Sequence, residues 1–298
     1  MDARPRAYRV EDSDARIMDI LDSGASFEDA QEIPGSAALT YQNGFYVECT
    51  AIFIDIRGSS QLGEKYAQRR TLGKLYRAYV SECVAILNGN QRCSQVFIQG
   101  DCVSAVFDTP DRKAVCDVFT LVASLNSVVN LLNYRLARRG HATIQVGIGI
   151  DTGRALMLKA GFSGSGINDV IWMGDVLNRA SHLCHAANKD GRKVIQLSTA
   201  VLAMLDQPAM TVDGKPFVEQ YLGVVLSPDG WECDVINPGM ETHLQTVIRE
   251  QQAADRLANP PGWFGRVVED VFGPPTAPPP VPPVDTAALL LNLIQRQK

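Results

Sequence analysis

The stretch Ala51-Ile52-Phe53-Ile54-Asp55-Ile56 constrains this chain more than any other. It is a short apolar run broken by one carboxylate and stopped by Arg57-Gly58-Ser59-Ser60. Branched and aromatic side chains suit a pleated, buried backbone, and Gly-Ser-Ser suits a turn into a helix. The run therefore predicts a buried strand followed by a helix. Helical patterning continues to about Leu87 and stops at Asn88-Gly89. Val96–Gln99 and Cys102–Phe107 then flank Gly100-Asp101, two strand-like runs around two turn residues, which predicts a hairpin.

Thr109-Pro110-Asp111 predicts a helix start, with Thr109 as cap and Pro110 in the first turn, running to Arg138-Arg139-Gly140. From Thr143 to Asp151 the residues alternate, with Ile144, Val146, Ile148 and Ile150 on one face and Gln145, Gly147 and Gly149 on the other. Ala155-Leu156-Met157-Leu158, after Gly153, is expected to close a second hairpin. Asp175–Ala187 reads as a helix and Lys193–Leu197 as a further strand. Strand, helix, hairpin, helix, hairpin, helix, strand is the order of an α+β protein with a ferredoxin-like βαββαβ core and additions, one sheet covered by helices.

Three zones flank and contain this pattern. Residues 1–45 form a polar, acidic N-terminal extension with room for one amphipathic helix around Ile17-Met18-Asp19-Ile20-Leu21. Residues 46–237 carry the dense apolar pattern of alternating strand-like and helix-like segments and read as the folded domain. Residues 238–298 form a C-terminal extension in which PPTAPPPVPP (274–283) predicts an extended spacer leading into a short helix with a Leu289–Ile294 cluster. Twenty-eight Lys and Arg against 33 Asp and Glu give a net charge of −5, which argues against broad phosphate neutralisation and hence against nucleic-acid binding. Seven cysteines without a C-x-x-C pair read as reduced thiols of a cytoplasmic protein. The apolar stretch Ala114–Ala137 contains Asp117, Asn126, Asn130, Asn133 and Arg135, so it reads as a buried helix and no membrane insertion is expected.

Burying a lone carboxylate in an apolar strand costs several kcal/mol unless a cation or donor set compensates, about 2–7 for even a neutral polar group. Asp55 therefore leads the search for chemistry. Asp101, at the tip of the central hairpin, neighbours the first strand in a ferredoxin-like sheet, so the two carboxylates can converge. Without surrounding Cys or His, such a pair suits Mg²⁺ or Mn²⁺, although Asp101 taken alone fits ordinary turn chemistry. Gly58-Ser59-Ser60 can present main-chain N–H groups to a phosphate, or simply cap a helix.

FIDIRGSS (53–60), IQGDCVSAVF (98–107), VGIGIDTG (146–153) and MGDVLNRASHL (173–183) resemble the successive motifs of class III nucleotidyl cyclase catalytic domains. The resemblance spans about residues 46–237. It implies cyclisation of a nucleoside triphosphate, the ribose 3′-hydroxyl attacking the α-phosphate and pyrophosphate leaving, with two divalent metal ions (Mg²⁺ or Mn²⁺) at the attacking and leaving oxygens. It further implies Asp55, Asp101 and the main-chain carbonyl of Ile56 as metal ligands and Asn178 as the ribose-orienting residue. A head-to-tail homodimer sharing its two sites between subunits is implied as well.

Departures from the family pattern narrow the expectation. His182 stands where the family has a transition-state arginine. Arg179, one turn away on the same helix face, is a candidate substitute, with a solvated helix arginine as the alternative. His182, Cys184 and His185 are too crowded on one helix to share an ion. The two base-reading positions hold Phe97 and Ile171, neither of which bonds a purine edge. This leaves a smaller pyrimidine base, with Gln99, Asn168 and Asp169 nearby, or a site that has lost its nucleotide. A purine cyclase with an atypical pocket and a non-catalytic nucleotide-binding dimer remain as rivals. The pattern resembles the pyrimidine cyclases of bacterial Pycsar anti-phage systems, which make cyclic UMP or cyclic CMP from UTP or CTP and signal to a downstream effector. The family's triphosphate lysine has no match in Val225–Gly230, where Lys189, Arg192 and Lys193 are the nearby cations, or merely a solvated basic turn.

Overall fold

The computed structural model describes residues 7–66, 68–164, 167–205, 211–212, 215–216 and 222–258. The Pro-rich spacer and terminal helix expected in the C-terminal extension lie outside the described residues. In chain order the elements are α1 (Val10–Leu21), β1 (Ser26–Asp29), β2 (Asn43–Ile56), α2 (Leu62–Lys65), α3 (Arg69–Asn88), β3 (Cys93–Gln99), β4 (Cys102–Asp108) and α4 (Arg112–Ala137). There follow β5 (Val146–Phe162), β6 (Ile167–Met173), α5 (Asp175–Ala186), β7 (Ile195–Leu197), α6 (Thr199–Leu205), β8 (Thr211–Val212), β9 (Lys215–Pro216), β10 (Val225–Ser227), β11 (Gly230–Cys233) and α7 (Pro238–Ala258).

The main sheet runs β10-β11-β7-β5-β2-β4-β3, with β1 beside β2 and β6 beside β5. Its portion β5-β2-β4-β3, crossed by α3 and α4, is the expected βαββαβ core. Alternation along β2 sends Ile52, Ile54 and Ile56 to the face covered by α3 and α4, where they join Tyr79, Phe107, Phe119, Leu125, Ile148 and Ile150 in one buried cluster. Each such side chain contributes about 1.5–3 kcal/mol on burial. Helix α4 is long and apolar enough to cross a membrane by length and composition, but Val118, Phe119, Val122 and Leu125 are buried in this cluster. Two of its polar residues have protein partners: Asn126 donates to the Val235 carbonyl at 3.0 Å, and Asn133 both donates to and accepts from the main chain of Ile144 at 2.8 Å.

The opposite face carries α5. Gly147 and Gly149 leave room for the helix to lie directly on β5: a Cβ at Gly149 would come within 2.1 Å of the Ala180 carbonyl oxygen and 2.2 Å of the Cys184 nitrogen. Buried Val176, Ala180, Leu183 and Cys184 form the contact face of the helix.

Several local expectations are corrected. β5 does not turn at Gly153 but continues to Phe162, still paired with β2 through Thr152↔Thr50 and Gly153↔Cys49. Its hairpin partner is β6. A single glycine interrupting an alternating run looks like a turn in one dimension, and here it is a strand position supported by pairing. Asp111 rather than Thr109 caps α4, accepting from the Ala114 N–H at 2.8 Å. The Thr109 hydroxyl is buried against Thr50 instead, at 2.8 Å. The helix expected right after Ser60 is a 3₁₀ turn (Ser59–Gln61) and the four-residue α2, and the long α3 begins only at Arg69. β2 begins at Asn43 and pairs with β1, so the sheet crosses the boundary expected at residue 45. Helix α1 forms as expected, with no buried residue.

Candidate functional site

Period-2 geometry puts Asp55 on the α5 face of β2, opposite Gly147 and away from the main core. Its side chain is 34% exposed and lies 3.5 Å from Arg57 Nη2, so the carboxylate is less deeply buried than the apolar run suggested. Asp101 sits at the β3–β4 turn after Gly100, which holds φ +66° as the turn requires. The two carboxylates meet as expected. Burial, first, and then Asp101, by charge and by a shared hydrogen bond, push the Asp55 carboxyl above its ordinary range, with Arg57 opposing. Asp101 Oδ2 is buried and has no hydrogen-bond partner.

Two facing carboxylates, one raising the proton affinity of the other and with one oxygen left orphaned, form a donor set short of positive charge. A hard divalent cation fits it, because such an ion takes oxygen ligands and needs few protein donors. Ile56, next in line, is a buried core residue whose side chain faces the other way, so only its main-chain carbonyl is available as a third oxygen. No group of three or more His, Cys, Asp or Glu suited to a metal occurs among the described residues; Cys184 in particular is buried, its Sγ 3.2 Å from the Gly147 carbonyl.

Gly58 takes a left-handed φ of +63° and starts the 3₁₀ turn of Ser59 and Ser60. So short a turn has little macrodipole. Any phosphate contact there rests on individual N–H groups of the turn.

Sequence reasoning passed over Arg57. Its side chain is 8% exposed, and besides Asp55 it donates to the Asp55 carbonyl at 3.3 Å and to the His185 carbonyl at 3.1 Å. It also touches Cys184 Sγ at 3.7 Å. One guanidinium thus ties the carboxylate end of β2 to the C-terminal end of α5.

Asn178 and Arg179 lie on the exposed side of α5. Seven residues separate Asn178 from His185, roughly 10 Å along a helix, so the end of α5 held against Asp55 is not the end bearing Asn178. Arg179 Nη1 is 3.3 Å from Asp151 Oδ2, a fully buried carboxylate that sequence reasoning also missed. The argument applied to Asp55 was equally available for Asp151, which ends the same polar row as Gly147 and Gly149. Arg179, His182, His185, Lys189 and Arg192 line an open cleft of about 570 Å³ with Asp229. Arg192 is paired with Asp229, and Lys189 lies 3.3 Å from the His185 ring, whose pKa it lowers. Lys193 is committed to the Gly223 carbonyl at 2.9 Å.

The two positions expected to read the base divide. Phe97 and Trp172 pack against one small cluster containing Cys49, Ala51 and Val106. Ile171 points to the other face of β6 and is 39% exposed. Trp172 Nε1 donates to Gln95 Oε1 at 2.8 Å, and Gln95 reaches Asp169 at 3.5 Å, so Gln95 bridges β3 to β6.

Residues 42–222 match the model of the adenylate and guanylate cyclase catalytic domain. The chain belongs to this family, the class III nucleotidyl cyclases. Among its relatives, it is 42% identical over 191 residues to a uridylate cyclase of Gulbenkiania mobilis, covering 62% of this chain and 74% of that one. It is 33% identical over 191 residues to a uridylate cyclase of Treponema porcinum, covering 64% of this chain and 66% of the relative. Its fold is similar to a class III adenylyl cyclase-like ATP-binding protein from Pseudomonas aeruginosa, with a TM-score of 0.57 and 18% identity over 78% of this chain and 48% of that one. The guanylyl cyclase Cya2 matches with a TM-score of 0.50 and 15% identity over 65% of this chain and 94% of that one.

Proposed function

We propose that the protein is a uridylate cyclase, converting UTP to 3′,5′-cyclic UMP and pyrophosphate. The facing pair Asp55–Asp101, with its orphaned oxygen, is the observation that carries the catalytic part of this reading. The uridylate cyclases among its relatives and the apolar Phe97 support a pyrimidine substrate. In the reaction the ribose O3′ bonds to the α-phosphorus, the α–β bridging P–O bond breaks, pyrophosphate departs and the O3′ proton is released to solvent.

Asp55, Asp101 and the Ile56 carbonyl would hold two divalent metal ions. When bound, such ions lower the pKa of the attacking hydroxyl and neutralise the leaving oxygens. Asn178 orients the ribose, and Arg179, with the cations of the neighbouring cleft, draws off phosphate charge as it builds in the transition state. Asn178 lies roughly 10 Å along α5 from the end of the helix held against Asp55, which supports a site shared between two protomers. A head-to-tail homodimer supplies Asp55 and Asp101 from one protomer and Asn178 and Arg179 from its partner. The same reading includes a second-messenger role in anti-phage defence, the product acting on a separate effector.

The test is incubation of the purified protein with each of the four nucleoside triphosphates and Mn²⁺, alongside Asp55→Asn and Asp101→Asn. Cyclic UMP from the wild type is expected, with turnover lost in both variants at unchanged oligomeric state. Each variant should also lose the rise in melting temperature that Mn²⁺ produces in the wild type. A cyclic purine as main product, or an Asp55→Asn variant as active as wild type, would refute the proposal.

A further inference from the structure

Asp151 is the one charged side chain among the described residues that is buried completely, at 0% exposure. It lies on the β5 face that carries Gly147 and Gly149, under α5, opposite Ala51 of β2. Neither of its oxygens has a hydrogen bond of ordinary geometry, although the Ser198 hydroxyl and the Thr152 N–H lie close enough to favour its charge. Burial pushes its carboxyl above the ordinary range, and the nearby Ser198 hydroxyl, Thr152 N–H and Arg179 offset this only in part. As a packing element it is a poor choice, because an asparagine or an apolar residue of that size would avoid the cost of a dry carboxylate.

Arg179 has the complementary peculiarity. Its side chain is 50% exposed, it lines the cationic cleft beside His182, and its one described partner is Asp151, at 3.3 Å. That contact is an ion pair without hydrogen-bond geometry, so the guanidinium is held by charge while its five N–H donors stay uncommitted. An arginine on a free stem would sweep the cleft. One tethered to a buried anion keeps its donors aimed at a single place.

We infer that Asp151 is a positioning residue for the reaction: through the ion pair it fixes the Arg179 guanidinium in the orientation that receives the charge developing on the substrate phosphates. The inference rests on the catalytic role given to Arg179 above. It predicts an effect in the transition state and little in ground-state binding, because a misaimed guanidinium still adds positive charge to the cleft.

The test is a double-mutant cycle on the intact protein with UTP and Mn²⁺, using Asp151→Asn, Arg179→Met and the pair together, with kcat, KM and melting temperature read for each. Asp151→Asn is expected to lower kcat about 10- to 30-fold with KM within about threefold of wild type and the melting temperature held or raised. Arg179→Met should lower kcat by about 100-fold or more, and the double variant should be no slower than Arg179→Met. Wild-type kcat in Asp151→Asn, with Arg179→Met impaired, would overturn the inference while leaving the role of Arg179 intact. An equal further loss on adding Asp151→Asn to Arg179→Met would also overturn it, because Asp151 would then act by another route. Full activity in Arg179→Met would refute both. Should Asp151→Asn not fold, Arg179→Met still decides: it strands a buried carboxylate, so its melting temperature must fall and must recover in the double variant. An unchanged melting temperature would refute the pairing itself.

Discussion

Gly149→Ala is the sharpest test of how the helix that carries Asn178 and Arg179 is seated. The new methyl group would stand 2.1 Å from the Ala180 oxygen, 2.2 Å from the Cys184 nitrogen and 2.8 Å from the Cys184 Cα, where ordinary contact begins at 3.4 Å. All three atoms are main chain, so no rotamer relieves the clash, and α5 must withdraw from β5 by roughly 1 Å or more. Overpacking of this kind costs about 1–3 kcal/mol, occasionally more, which for a domain of this size lowers the melting temperature by about 2–12 °C. Activity should fall further than stability, since a 1 Å misplacement of positioning groups costs about 100-fold in rate. The assay is a thermal melt with initial rates of cyclic UMP formation at saturating UTP and Mn²⁺. Gly73→Ala on α3 serves as the control: its Cβ meets nothing within 4 Å, and alanine should stabilise the helix by about 0.5–1 kcal/mol. A Gly149→Ala protein with wild-type melting temperature and rate would show that α5 does not rest on β5 as described.

Arg57→Met should destabilise the protein by about 1–3 kcal/mol, because it removes donors from two carbonyls and the counter-charge from Asp55. It should also move the acid limb of the pH–rate profile upward, as Arg57 holds the Asp55 carboxyl down. A profile superimposable on wild type would refute the strut. Asp55 and Asp151 both hold their protons more tightly folded than unfolded, so in chelator their contribution to stability falls as pH rises from the ordinary carboxylate range through the folded-state values. Urea unfolding from acid to neutral pH should show that slope as the difference between wild type and Asp55→Asn/Asp151→Asn. A difference independent of pH would count against both environments.

The sequence carried the sheet's central strands and the Gly100-Asp101 hairpin, because alternation and turn chemistry act over a few residues. The pairing of Asp55 with Asp101 followed from that topology. The four cyclase motifs were legible for the same reason, each being a local pattern at the end of a strand or the start of a helix. Gly153 misled because a glycine needed for close packing, with Val176 Cγ2 3.2 Å from its would-be Cβ, looks from the chain alone like a glycine needed for a turn.

What the tertiary structure alone decided was which carboxylate is dry. Asp55 and Asp151 both stand in apolar strands on the same face of the sheet, yet the first is one-third exposed and the second wholly buried. The difference is where α5 lies across that face, and the path of a helix is set by contacts between residues far apart in the chain. Arg57 belongs with these, its partners at Cys184 and His185 supplied by that same helix. Local residue order determines the elements and offers the charges; only their packing determines which charges lose water and which of them must find each other.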